Sequence, residues 1–149
     1  MSDEVEEKKA RAAAAPDDVA AQIAAAYACD RVGREDEAIR YYERAFALGV
    51  PEEQRKGFLV GFGSTLRNVG RADEAVAVLA DAVAAYPDYP ALQPFLALAL
   101  FSAGHPRAAL AAMLGVALDV ARPGAFDGYE RALTEYHQEL LTASVEPLH

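Results

Sequence analysis

The sequence predicts an all-α chain: about three antiparallel helix pairs, a C-terminal capping helix and a further helical segment at the N-terminus. Internal repetition is the first reason. "VGREDEA" (Val32–Ala38) and "VGRADEA" (Val69–Ala75) differ at one position, and "AGHPRAA" (Ala103–Ala109) keeps the Gly and the last Ala. The turn glycines Gly33, Gly70 and Gly104 are spaced by 37 and then 34 residues, the length of one helix–turn–helix unit. The second reason is apolar periodicity on both sides of each glycine.

Taken in order, "DEVEEKKARAAAA" has Glu4–Lys8 and Glu7–Arg11 at helical i,i+4 spacing but little apolar surface. Residues 1–15 are therefore expected as a charged helical or frayed segment. The repeats fill residues 16–122. The first pair is expected over Asp17–Arg31 and Glu35–Leu48. The second begins at Pro51, whose two following acids suit a helix start. After Gly70, the residues Ala75, Val78, Leu79, Ala82 and Val83 form one apolar face, and "PDYP" ends that helix. The third pair is expected over Tyr89–Ala103 and Pro106–Val120, with a kink or a late start where Pro94 would remove a hydrogen bond. Residues 123–149 hold the cap and tail, with Phe126, Tyr129, Leu133, Tyr136 and Leu140 as a stripe to pack on the last repeat.

The 149 residues suit one domain, and 53% hydrophobic content supports a packed core. A net charge of −9 repels phosphate backbones and anionic lipid, so nucleic acid and membrane are excluded as partners. The single cysteine, Cys29, permits no internal disulfide. With no apolar leader and no run near the ~20 residues of a membrane span, the expected location is the cytoplasm.

Small residues recur in register. Ala26, Gly63 and Ala97 stand seven before the turn glycines, and Ala38, Ala75 and Ala109 stand five after; they let paired helices approach closely. Ala45, Ala82 and Val116 are expected to face the next pair, and Tyr42, Leu79 and Met113 to fill the space between pairs.

From Asp17 to Val120 this pattern resembles the tetratricopeptide repeat superfamily. It departs by having no Trp, by Cys29, Leu66 and Leu100 where an aromatic is usual, and by a closing Pro in place only at Pro87. The segments "ACDRVGREDEAIRYYERAFALGV", "GFGSTLRNVGRADEA", "FLALALFSAGHPRAAL" and "GYERALTEYHQEL" resemble the small bacterial group 5 of that superfamily. The resemblance implies a right-handed α-α superhelix, a scaffold for protein–protein interaction, and dimerisation; it supplies no ligand.

Chemistry finds no foothold. His105, His137 and His149 form no metal-ligand spacing, and Glu135 and Glu139 lie two residues from His137, where helical side chains do not face each other. Cys29 reads as a small core residue. Gly57, Gly61 and Gly63 match no phosphate-loop pattern. The chain is expected to be no enzyme and to need no cofactor or metal.

The superfamily resemblance puts the first helix of each pair on the concave face. Ten, six and three residues before each glycine stand Ile23, Tyr27 and Asp30; Val60, Ser64 and Arg67; and Pro94, Leu98 and Phe101, with Arg31 and Phe95 flanking. The expected groove is apolar with Arg67 as its polar handle, and it lacks the Lys of a carboxylate clamp. It suits a peptide or amphipathic helix of unknown identity. The alternative is a homodimeric assembly protein that buries the same surface or the Phe126–Leu140 stripe; a small-molecule site ranks below both.

Overall fold

Each glycine turn closes in the same way. In the computed structural model, which describes the backbone of residues 2–143 and the side chains of residues 3–142, Gly33, Gly70 and Gly104 have φ of 79°, 88° and 89°. The next residue donates back across the turn: Arg34 N–H to Cys29 O, Arg71 N–H to Leu66 O and His105 N–H to Leu100 O, at 2.9, 2.8 and 2.8 Å. This left-handed cap satisfies a carbonyl at the helix end and is cheap only for glycine. "AGHPRAA" therefore builds the same turn as its better-matched counterparts.

Eight helices form among the described residues: α1 (Ser2–Ala14), α2 (Val19–Arg31), α3 (Glu35–Leu48), α4 (Glu52–Asn68), α5 (Ala72–Ala85), α6 (Leu92–Ser102), α7 (Pro106–Val120) and α8 (Glu130–Ala143). The leading helices α2, α4 and α6 pair with the trailing helices α3, α5 and α7, and successive pairs stack as an α-α superhelix. Two starts fall later than the periodicity suggests. Asp18, expected inside α2, instead caps it and accepts from Ala20 N–H at 3.0 Å. α6 begins at Leu92 rather than Tyr89, which puts Pro94 in the first turn. Backbone N–H groups have no helical partner there, so the proline costs α6 no hydrogen bond.

The small residues do what their register implies. Ala26, Ala38, Ala45, Ala75, Ala82, Ala97 and Ala109 are buried, and Gly63 lies so close under Leu79 that a Cβ would overlap its isobutyl group. Between the first two pairs the core is aromatic. Tyr42 is buried, with ring centroids 5.4 Å from Phe58, 6.0 Å from Phe62 and 6.0 Å from Tyr27. Its hydroxyl donates to Asp30 Oδ2 at 2.7 Å, which satisfies a polar group that burial would otherwise penalise.

α1 is docked on α2. Val5 and Ala12 are buried, and the buried Gln22 amide donates to Ala12 O at 3.0 Å and Ala15 O at 3.2 Å. Charge adds to this attachment: Lys9 Nζ donates to Glu37 Oε1 at 2.6 Å and Arg34 to Glu6 at 3.1 Å, while Arg34 also grips Glu37. Arg71 binds Glu43 and Glu74 likewise. Glu6 precedes Arg34 by 28 residues, as Glu43 precedes Arg71. α1 thus occupies, before the first pair, the place of a trailing helix.

α8 packs on α7 as the expected cap but begins later than its apolar stripe suggests. Gly124, Asp127 and Gly128 take positive φ, so the chain turns through 123–129, and Phe126 and Tyr129 precede the helix. Tyr129 and Tyr136 are exposed, whereas Leu133, His137 and Leu140 are half-buried, with His137 over Gly115 of α7. Because α8 meets α7 on its Gly115 side, Met113 is left exposed instead of filling an inter-pair space. His149 and the tail 144–149 lie outside the described residues.

Two outcomes follow. Gly63→Ala is expected to lose about 1–3 kcal/mol by overpacking against Leu79. Gly57→Ala, where an added Cβ meets open space, should gain about 0.5–1 kcal/mol of helix propensity. Urea denaturation of both variants checks the opposite signs. Glu37 is held down to about 2, first by the Arg34 hydrogen bond and then by Lys9. A lowered carboxylate pKa stabilises fully above its unfolded value of 4.5 and ceases to do so as the pH falls towards 2. The protection of α1 amides, taken relative to their intrinsic exchange rate at each pH, should therefore fall over that acid window, and Glu37→Gln should remove this Glu37-linked fall and loosen α1 already at neutral pH.

Candidate functional site

The leading helices carry the expected surface, and their packing divides it. Ile23 is buried in the core and lines nothing. Tyr27, Asp30 and Arg31 share one shallow depression. Val60, Ser64, Phe95 and Pro94 are half-buried, Phe95 and Val60 against the core. Leu98 and Phe101 are exposed, at 42% and 66%. Of the expected groove residues, Tyr27, Arg31, Val60 and Ser64 keep part of their surface in solvent, and Leu98 and Phe101 most of all.

The residues three before each glycine point along the stack. Besides Tyr42, Asp30 accepts from Thr65 Oγ1 of α4 at 3.5 Å. Arg67, expected as a free handle in the groove, donates from Nε to Ser102 Oγ of α6 at 2.9 Å and from Nη1 to Asn68 Oδ1 at 3.2 Å. Asn68 in turn donates to Glu35 at 3.0 Å. Arg67 therefore ties the second leading helix to the third, with its Nε and Nη1 donors engaged. Arg31 faces Glu4 at 3.7 Å, with both side chains more than half exposed, a pairing worth little in water.

Titration points away from nucleophilic chemistry. Burial, and secondarily Glu37, pushes the Cys29 thiol up, so it stays protonated. Burial raises the Tyr27 phenol, with Asp30 adding to the effect. Among the described residues, no three His, Cys, Asp or Glu side chains converge as a metal site, and no helix is long and apolar enough to cross a membrane. A cleft of about 460 Å³ between α7 and α8 brings His137 and Asp119 to an apolar floor that includes Ala112, Gly115 and Leu140. The sequence reading passed over this cleft because its walls come from separate helices.

It also passed over Leu110 and Val120, exposed at 57% and 58% on α7. A signal was present: Leu110 and Met113 stand at the register of Ile39 and Tyr42, which are buried.

A family model described as Tetratrico peptide repeat matches residues 19–140. A comparison with curated proteins found no match. Repeats of this family in general mediate protein–protein interaction and are typically non-catalytic. The matched span opens at the first residue of α2 and runs through the three glycine turns into α8; the chain belongs to the tetratricopeptide repeat family, of its small group 5 kind.

Proposed function

We propose that the chain is a non-catalytic interaction module that receives an apolar helix or extended peptide along its row of leading helices. The observation that carries this is the exposure of Leu98 and Phe101 on α6, beside a neighbour, Arg67, whose Nε and Nη1 donors are engaged. Large apolar side chains kept in water on a leading helix cost solubility unless a partner covers them. Tyr27, Val60 and Ser64 extend the strip towards the first pair, and Arg31 offers a charge at its far end. Arg67 holds the strip's helices in place rather than contacting the ligand.

Peptides selected by display on the immobilised chain should bind with this strip. Leu98→Asp is expected to weaken the best of them at least tenfold, about 1.4 kcal/mol, and Tyr27→Ala to weaken those long enough to reach α2. Glu53→Gln, at an exposed site at the start of α4, should leave affinity unchanged. Titration calorimetry reads all three; equal affinity for Leu98→Asp and the parent chain overturns the assignment.

A further inference from the structure

One face of the last trailing helix breaks the pattern of the other two. Four and eleven residues after the turn glycine stand Glu37 and Arg44 on α3, and Glu74 and Asp81 on α5. On α7 the same places hold Ala108 and Gly115. Fifteen residues after the glycine the exchange runs the other way: where α3 has Leu48 and α5 has Ala85, α7 has Asp119. α7 thus turns a small, uncharged face towards α8 and ends that face on a carboxylate.

Small faces elsewhere in the stack are closed by contact. Gly63 lies under Leu79 with no room for a Cβ, and Ala26, Ala38 and Ala75 are buried. Between α7 and α8 the same kind of face stays open, with Ala108, Ala112 and Gly115 only half-buried. A Cβ on Gly115 would meet the His137 ring first, 3.0 Å from Nε2. Glycine inside a helix weakens it, and here it lets the imidazole edge approach the α7 backbone. The space beside the ring is the cleft of about 460 Å³, within the size range of small-molecule sites.

We infer that this cleft binds a small organic cation, its apolar body on the Ala112–Gly115 floor and its ammonium group at the Asp119 carboxylate. Three observations select that chemistry. The polar residues of the lining are Gln93, Asp119, Thr134 and His137, with no lysine or arginine among them. An anion would therefore find no counter-charge there, in a chain that already carries −9. Thr134 Oγ1 donates to Glu130 O at 2.8 Å, so it offers a ligand its lone pairs, which suit an N–H donor. Asp119 lies in the last turn of α7, where no basic residue of the helix offsets its negative end. Although Arg122 follows three residues on, the Asp119 carboxylate makes no ion pair or hydrogen bond among the described residues. Leu118 and Leu140 add apolar wall. Walls on two facing helices suit a free molecule rather than a peptide lying along the stack.

The site goes beyond the peptide-binding strip and shares no residue with it. Tryptamine, tryptophol and indolepropionate carry the same ring with a positive, neutral or negative end and serve as probes, titrated into the full chain to roughly millimolar concentration. In two-dimensional amide NMR spectra, tryptamine should shift Gly115 and His137. It should bind about threefold tighter than tryptophol, the scale of one partly exposed ion pair, and indolepropionate should bind more weakly than both. Asp119→Asn, at an exposed position, should bring tryptamine down to the affinity of tryptophol. Ala112→Leu, which fills the floor, should weaken both; if helical circular dichroism shows that this variant is unfolded, Asp119→Asn still decides. Leu98→Asp should leave tryptamine binding unchanged, so failure of this site and failure of the strip are distinguishable. The inference is overturned if no probe shifts Gly115, if the three probes bind equally, if the shifts fall on Leu98 and Phe101 instead, or if Asp119→Asn keeps the preference for tryptamine.

Discussion

The left-handed glycine that ends each leading helix is the constraint from which the rest of the architecture follows. It reverses the chain within a few residues and returns it at a fixed rotation. The residues five after and seven before the glycine are buried in all three pairs. Once that geometry is set, a large side chain at either place would hold the helices apart, and Ala26/Ala38, Gly63/Ala75 and Ala97/Ala109 are what close packing permits. The same turn sets which residues look along the stack. Asp30 and Arg67 can bridge successive leading helices because identical turns point them the same way.

What fills the space between pairs changes along the chain. Between the first and second pairs it is filled by Tyr42, Phe46, Phe58 and Phe62, in mutual contact. Towards the third pair the buried residues shrink to Ala97, Ala99, Ala109 and Ala111, with Val116 and Leu92 as the larger ones. Aromatic side chains bury far more area than alanine, so the first junction is aromatic, whereas the second is aliphatic, with Leu79 and Leu92 buried and Phe95 and Leu96 packed against the same core. In a solenoid each repeat draws stability chiefly from its neighbours.

The repeat order, α3 and α7 to the residue, and most of the buried small positions were legible because turn chemistry and helical period are local. Two features were not. The docking of α1 depends on Val5, Ala12 and ion pairs to helices 28 residues away; read alone, "DEVEEKKARAAAA" is a weak helix with nothing to bind. The path of α8 depends on positive φ at Gly124, Asp127 and Gly128, and an apolar stripe drawn through Phe126 and Tyr129 assumes the helix has already begun. The candidate site was half legible. Spacing correctly placed Leu98 and Phe101 outside, yet it could not foresee that Ile23 sinks into the core or that Ser102 takes the Nε hydrogen bond of Arg67.

A repeat stack has a problem that a closed domain lacks: its last pair ends on the face built to receive another pair. Two solutions are available, a polar surface or a covering element. The N-terminal end uses both, since α1 covers α2 with Val5 and Ala12 and presents acids and arginine to water. The C-terminal end is covered only in part: α8 lies against Gly115 of α7 and leaves Leu110, Met113 and Val120 exposed. At the matching register of the first pair stand Ile39 and Tyr42, which the second pair buries, whereas Leu110 is 57% exposed. Apolar exposure is thus uneven along the stack, concentrated on α6 and α7 at Leu98, Phe101, Leu110, Met113 and Val120.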